Sequence, residues 1–265
     1  MTENLTRLLK IMAQLRNPDT GCPWDVAQTY ATIAPYTIEE AYEVADAIQQ
    51  NDIVALKGEL GDLLLQVVFH SRIGEEAGDF DFDAVAGAIA DKMVRRHPHV
   101  FGSETHKNRD AQRASWETQK AAERQKKAEI SGQKSGAIDG VPLALPALTR
   151  AEKLGKRAAR VGFEWPDLRG PLAKLQEELS ELRYEIKADA PPERLSDEIG
   201  DVLFSVVNLA RHLRIDPESA LRHCNAKFER RFRFIEDSLA AEGRDIADTT
   251  LDDMEDRWKA AKRTE

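Results

Sequence analysis

The sequence predicts an all-α protein made of two tandem helical-bundle repeats, each with four to five helices. Apolar residues recur at helical spacing, and 32% charged with 6% aromatic residues is typical of amphipathic helices. The chain contains no convincing run of alternating β-branched residues and no Asn-Gly hairpin signal. One acidic motif occurs twice in the same order, which indicates an internal duplication.

In the first half, helix starts are marked by residues that can cap the free backbone N–H groups. The apolar spacing of residues 1–15 predicts an amphipathic helix rather than a signal peptide. A capping box at Thr37 predicts a helix that starts there, while Asp52 and Asp81 are expected to cap the next two. The helices that follow the first are expected at about 37–50, 53–77, 82–96 and 110–127.

A segment rich in Gly and Ser, followed by Pro, interrupts the helical pattern over residues 129–143 and predicts a linker. It separates an N-terminal repeat, residues 1–128, from a C-terminal repeat, residues 144–265. The helices of the second half are expected at about 146–161, 168–188, 192–214, 217–240 and 250–262.

Composition excludes several classes of protein. The net charge of −9 over 265 residues argues against a nucleic-acid polymer as partner, because phosphate backbones require a basic surface. No stretch reaches the ~20 apolar residues of a membrane span, so no membrane partner is expected. Cys22 and Cys224 lie far apart and in no paired spacing, which argues against a disulfide framework or a zinc site. We therefore expect a cytoplasmic protein.

The repeated acidic motif predicts a metal site. It comprises Glu40, Glu43, Glu59 and Asp62 in the first half, and Glu178, Glu181, Glu198 and Asp201 in the second. Residues three apart share one helix face, so two facing helices would gather four carboxylates. Such a cluster repels itself and raises its own pKa values unless a cation neutralises it. Mg²⁺, which prefers oxygen ligands, is the expected ion.

Basic and aromatic residues accompany the carboxylates in both halves. They are Lys227, Arg231, Trp258 and Lys262 in the second half, and Arg96, Trp116 and Lys120 in the first. Lys and Arg suit phosphate oxygens, and a Trp offers a flat surface for stacking. The combination indicates a nucleotide site and metal-assisted hydrolysis at phosphorus. The second-half carboxylates with Lys227 and Arg231 are the catalytic candidates, and one Glu acting through water is the candidate base.

Other classes fit less well. A ferritin-like di-iron protein requires Glu-x-x-His, and none of the six His residues has a Glu three positions before it. No His-Asp dipeptide and no P-loop motif is present. A non-catalytic nucleotide-binding helical regulator or scaffold remains the alternative, although it does not explain why acidic, basic and Trp positions recur together.

The motifs EEAYE, GELGD and KMVRRHPHVF, followed by EELSE, DEIGD and KFERRF, resemble the MazG family of nucleoside triphosphate pyrophosphohydrolases. The resemblance implies an all-α homodimer that depends on Mg²⁺. It implies conversion of nucleoside triphosphates of broad base range to monophosphate and pyrophosphate, with water attacking the α-phosphorus. House-cleaning of the nucleotide pool is the implied role.

The resemblance also implies roles for individual residues of the second half. The family's metal ligands fall on Glu178, Glu181, Glu198 and Asp201. Its phosphate contacts fall on Lys174, Lys227 and Arg231, and Trp258 and Lys262 fall where the nucleotide is held.

The two halves differ around the shared carboxylates. Lys174 lies one helical turn before Glu178, whereas Tyr36 occupies the matching place before Glu40. Asn208 follows the second acidic set, where the first half has Phe69. We therefore expect Lys174 and Asn208 to bind substrate, the C-terminal half to be the main catalytic site, and the N-terminal half to be weaker.

Overall fold

A computed structural model describes residues 3–102, 118–119, 122–123 and 136–264, and the regular structure in these ranges is entirely helical. The chain divides into two compact units, Met1–Ala121 and Ala122–Glu265. The prediction of an all-α fold is confirmed. The repeat and linker boundaries stay predictions, because most of residues 103–135 lies outside the described ranges. None of the described helices has the length and apolar character needed to cross a bilayer.

The N-terminal unit is built around a hairpin of two long helices. Its helices are α1 (Glu3–Leu15), α2 (Pro23–Ala27), α3 (Tyr30–Gln50), α4 (Ile53–Ala77), α5 (Phe82–Arg96) and α6 (Pro98–Phe101). Helices α3 and α4 pack together, and α1 and α5 contact α4. Met12, Ile33, Val68, Phe69 and Ile73 form the buried core.

Two predicted helix starts in this unit are confirmed. The Asp52 carboxylate accepts hydrogen bonds from the backbone N–H groups of Val54 and Ala55, and Asp81 caps α5 in the same way. Helix α4 ends at Gly78, whose φ of 75° lies in the left-handed region that glycine adopts without strain.

The predicted start of α3 at Thr37 is wrong. The helix begins at Tyr30, where Thr29 and Thr32 form the capping box, and Thr37 lies inside it with its hydroxyl 3.0 Å from His70 Nε2. Pro35, which lacks an N–H, stands in the helix and would normally mark a boundary. Ile33 is 2% exposed in the core, and we attribute the helical conformation of the residues before Thr37 to that packing.

The C-terminal unit repeats the hairpin arrangement. Its elements are α7 (Ala147–Arg160), α8 (Arg169–Lys187), α9 (Pro192–His212), α10 (Pro217–Ala241), a 3₁₀ turn (Ile246–Asp248) and α11 (Leu251–Ala261). Helices α8 and α9 pack together, α7 contacts α9, and α10 contacts α7 and α11. All five helices agree with their predicted ranges to within two residues at each end. Helix 110–127 lies outside the described residues, except for 118–119 and 122–123, which are helical.

Candidate active site

The pairing of α8 with α9 brings three of the predicted carboxylates together. Glu178 lies on α8, and Glu198 and Asp201 lie on α9. One carboxylate oxygen from each lies within 4.8 Å of the others. Glu178 and Glu198 are buried, whereas Asp201 is exposed. Three acidic oxygens in so small a volume form the donor set that a hard divalent cation takes.

Glu181, the fourth predicted ligand, lies at the edge of this cluster. A hydrogen bond with Glu178 raises the pKa of Glu181, and desolvation adds to the effect. Crowding of carboxylates disfavours their ionised form, because the like charges repel each other. The crowding therefore fits a site whose negative charge a metal ion would neutralise.

Two cations pair with the buried carboxylates of the cluster. Lys174 Nζ lies 2.8 Å from Glu178 Oε1, as the one-turn spacing predicts. Arg194 Nη2 lies 3.1 Å from Glu198 Oε1. Arg194 was not predicted, although it also stands four residues before the carboxylate that it contacts.

The N-terminal unit holds a matching cluster on α3 and α4. Carboxylate oxygens of Glu40, Glu43 and Glu59 lie within 4.8 Å of one another. Desolvation and the charge of Asp62 raise the pKa of Glu40, and desolvation and Glu43 raise the pKa of Glu59. The buried Gln66 donates a hydrogen bond of 3.5 Å to Glu40. Both units thus gather three carboxylates, but the members differ, since Glu43 takes part here and Asp62 does not, whereas Asp201 takes part in the C-terminal unit.

The predicted basic and aromatic residues lie on α10 and α11. The Arg231 guanidinium stands 5.4 Å above the Trp258 ring, and Phe228 packs 5.3 Å from that ring. Lys227 is exposed and forms no ion pair with the residues that the structure describes. Lys262 is exposed at the end of α11. Helices α10 and α11 are a different pair from those that carry the carboxylates, so a shared site stays a prediction.

The first-half counterparts of these residues are only partly described. Arg96 ends α5. Trp116 and Lys120 lie outside the described residues.

The two units differ at the positions that the sequence singled out. Phe69 is 4% exposed and belongs to the hydrophobic core, whereas Asn208 lines an open cavity. Tyr36, at the position that matches Lys174, is exposed and packs edge-on against Trp24. Lys174 instead pairs with Glu178. The polar contacts that distinguish the halves in sequence therefore also differ in structure.

An open cavity of about 520 Å³, here called the C-terminal cavity, lies in the C-terminal unit. Its lining is mostly apolar and comprises Ile138, Leu154, Gly155, Ala158, Gly162, Phe163, Glu164, Trp165, Phe204, Asn208 and Arg211. Of these, only Asn208 was predicted as a site residue. The run Gly-Phe-Glu-Trp at residues 162–165, just before α8, was the feature of the sequence that could have indicated this cavity.

A glycine allows Trp165 to lie in the wall of this cavity. A Cβ at Gly170 would stand 2.2 Å from the Trp165 ring, closer than any real contact. The ring can therefore lie against the first turn of α8 only because residue 170 has no side chain.

The polar wall of the C-terminal cavity is a network around Arg211. Its guanidinium donates to both carboxylate oxygens of Glu164 and, over 3.1 and 2.6 Å, to Asn208 Oδ1. His212 Nε2 lies 2.7 Å from Glu164. The Arg211 hydrogen bonds lower the pKa of Glu164 to about 2 against the opposing effect of desolvation, so this carboxylate is ionised at neutral pH.

Glu164→Gln is expected to destabilise the chain in a pH-dependent way. A carboxylate whose pKa is lowered on folding stabilises the native state above its ordinary value of 4.5, and this stabilisation is lost as the pH falls towards 2. Because Glu164 is partly solvated, we expect a difference of only about 1 kcal/mol. Urea unfolding of both chains between pH 7 and pH 2.5 would measure it. A pH-independent difference would contradict the assignment.

Comparison with known proteins places the acidic clusters in a family. The model of the MazG nucleotide pyrophosphohydrolase domain matches residues 28–101 and 170–233. The chain is 49% identical over 262 residues to the nucleoside triphosphate pyrophosphohydrolase of Escherichia coli strain K12, covering 98% of each chain. It is 41% identical to the nucleoside triphosphate pyrophosphohydrolase/pyrophosphatase MazG of Thermotoga maritima, covering 96% of this chain and 94% of the relative. Both matched segments contain a complete acidic set.

Proposed function

Because the chain belongs to the MazG nucleotide pyrophosphohydrolase family, we propose that it hydrolyses nucleoside triphosphates to monophosphate and pyrophosphate. The observation that carries this proposal is the cluster of Glu178, Glu198 and Asp201, with Lys174 paired to it. Ribo- and deoxynucleotides of broad base range are the proposed substrates, and cleaning of the nucleotide pool in the cytoplasm is the proposed role.

Mg²⁺ is the proposed cofactor, and the donor set fits it. Glu178, Glu181, Glu198 and Asp201 would hold the ion, since carboxylate oxygens are the ligands that it prefers. The pKa of Glu181 is raised beside Glu178, as expected where the negative charge of the carboxylates is not balanced by a cation. When bound, the ion would supply Lewis acidity at the α-phosphoryl oxygen and lower the pKa of a coordinated water.

The protein's own side chains would orient the substrate and the attacking water. Hydrogen bonds from Lys174 to Glu177 and Glu178 raise the pKa of the lysine, so it stays charged beside the cluster. A phosphate group could replace Glu177 as its partner. One Glu of the acidic set would orient the water and accept its proton as it attacks the α-phosphorus.

Residues on α10 and α11 are proposed to complete the substrate contacts. Lys227 and Arg231 lie four residues apart and would neutralise the charge that develops on the phosphates. Trp258 and Lys262 are proposed to hold the nucleotide. Arg231 already stands over Trp258, so these two side chains can act as one unit.

The C-terminal unit is proposed as the main catalytic half. Both units carry an acidic cluster. Within the described ranges, only the C-terminal cluster is paired with a lysine, Lys174. Asn208 stands in that unit at the position that matches the core residue Phe69 of the N-terminal unit. The N-terminal cluster is accordingly the weaker site.

A homodimer is the proposed assembly. Aliphatic side chains on the central helices are exposed in the single chain: Leu60 and Leu64 on α4, and Ile199 and Leu203 on α9, are each 39–50% exposed. A Cβ at Gly200 would meet nothing within 4 Å, which leaves room for a second chain to approach α9. The two residues of each pair lie one helical turn apart, so each helix presents an exposed apolar strip that a second chain could cover.

Identification of the products tests the proposed function. The purified chain would be incubated with Mg²⁺ and a panel of nucleoside triphosphates, and the products separated by ion-exchange chromatography. Monophosphate and pyrophosphate are expected. Diphosphate and inorganic phosphate would instead indicate attack at the γ-phosphorus. Nucleotide binding without turnover would favour the alternative, a non-catalytic helical regulator or scaffold.

A further inference from the structure

We infer that the C-terminal cavity receives the base of the nucleotide, and that Asn208 makes it favour bases with a carbonyl oxygen over bases with an amino group. This inference rests on the proposed function. It assigns a ligand to the cavity and a role in specificity to the Arg211 network.

The cavity lies at a suitable distance from the acidic cluster. Phe204 and Asn208 follow Asp201 on α9 by three and seven residues, close to one and two helical turns. They therefore lie about 4.5 and 10.5 Å further along the helix axis, on the side of α9 that carries Asp201. With the α-phosphate at the carboxylates, the ribose and then the base would extend in this direction.

The lining suits a flat heterocycle. Phe163, Trp165 and Phe204 contribute aromatic faces, and the volume of about 520 Å³ is within the usual range for small-molecule sites. Trp258, in contrast, already has the Arg231 guanidinium 5.4 Å above its ring and Phe228 tilted against it at 5.3 Å. We therefore place the base in the C-terminal cavity, and Trp258 keeps its proposed contact with the rest of the nucleotide.

The orientation of the Asn208 amide follows from its partner. A guanidinium has only hydrogen-bond donors, so the atom of Asn208 that faces Arg211 must be the carbonyl oxygen. The Nδ2 group is then turned away from Arg211 and remains available as a donor. Glu164 holds Arg211 in place from the other side.

Gly155 on α7 leaves the space that this arrangement needs. A Cβ at this position would stand 3.3 Å from Arg211 Nε and 4.0 Å from Asn208 Oδ1. The wall that presents the amide is therefore closely packed, and the amide is oriented before substrate arrives.

A fixed N–H donor distinguishes bases by one functional group. It can donate to O6 of hypoxanthine or O4 of uracil, whereas the amino groups of adenine and cytosine would place donor against donor. ITP and ATP differ at this group, as do UTP and CTP. One neutral hydrogen bond corresponds to about a five- to tenfold difference in kcat/KM.

Variants of Asn208 test the inference through substrate ratios. The ratios of kcat/KM for ITP over ATP and for UTP over CTP would be measured with Mg²⁺. The natural chain is expected to give ratios of about five to ten. Asn208→Leu is expected to bring both ratios close to one. In Asn208→Asp, one carboxylate oxygen can bind Arg211 while the other accepts from an amino group, so both ratios should fall below one.

Arg211→Met tests whether Arg211 acts as a positioning residue. Without Arg211 the amide can turn either way, so both ratios should fall towards one while Asn208 is still present. A general loss of activity with unchanged ratios would indicate a merely structural role and would overturn this part of the inference.

Two outcomes separate the inference from the function on which it rests. Ratios of one in the natural chain, with normal turnover, would overturn the inference and leave the pyrophosphohydrolase activity standing. If no triphosphate is hydrolysed, calorimetric titration with IMP and AMP would measure the affinity of each base for the cavity without turnover. Tighter binding of IMP would then support the inference, and equal binding would overturn it. Thermal unfolding of each variant would verify that it folds.

Discussion

Replacing Glu178 with glutamine is expected to lower kcat by about a thousandfold. Glu178 is 5% exposed, lies within the carboxylate cluster and contacts Lys174. Loss of groups that merely orient metal ligands costs 10–100-fold, so loss of a ligand itself should cost more. Steady-state kinetics at saturating Mg²⁺ would measure kcat, and titration with Mn²⁺ followed by electron paramagnetic resonance would report the number of bound ions.

Glu40→Gln provides the matched control, because Glu40 occupies the same place in the N-terminal cluster. We expect its turnover to stay within about threefold of the natural chain, since the N-terminal unit lacks counterparts of Lys174 and Asn208. If Glu40→Gln abolished turnover and Glu178→Gln left it intact, the assignment of the main catalytic half would be wrong.

Arg16→Met is expected to lower the free energy of unfolding by about 3 kcal/mol. Arg16 is 7% exposed and pairs with Glu76 over 2.6 Å. It also donates to the carbonyl oxygens of Asp25 and Gln28, and its guanidinium lies 5.2 Å from the Phe69 ring. Methionine would fill the space but leave the carbonyls and part of the carboxylate without a donor. Urea denaturation followed by circular dichroism would measure the change.

Arg72→Met is the matched control, because Arg72 pairs with the same Glu76 from a more exposed position. It should cost less than about 1 kcal/mol. Burial alone would raise the pKa of Glu76, but hydrogen bonds from Arg16 and Arg72 outweigh it and lower the pKa. The Arg16 contribution should therefore shrink as the pH falls below 4.5. Equal effects of the two substitutions would contradict a special role for the buried arginine.

Helix boundaries were predictable wherever a local signal decided them. Asp52 and Asp81 cap their helices as expected, because a carboxylate at the N-cap satisfies N–H groups of the same helix. The start of α3 was predicted too late, because both Thr29 and Thr37 offer a local cap and the burial of Ile33 against α1 and α4 selects the earlier one. A local signal at Thr37 was present, but tertiary packing overrode it.

The candidate site was likewise predictable only in part. The acidic spacing predicted the Glu178, Glu198 and Asp201 cluster, since one helix face carries residues three and four apart. Arg194 was missed although its spacing is equally local. Phe163 and Glu164 belong to the segment before α8, whereas Arg211 belongs to α9, and only packing brings them around one cavity.

The sequence by itself determined the all-α class, the duplicated acidic motif and the difference between the halves at Tyr36 and Lys174, because each is a matter of residue type and helical period. Tertiary structure alone decided that Phe69 is buried in a core, while Asn208 faces an open cavity with its amide held by Arg211. The physical reason is that burial and hydrogen-bond partners depend on which helices meet, and this information is not contained in the spacing along any one of them.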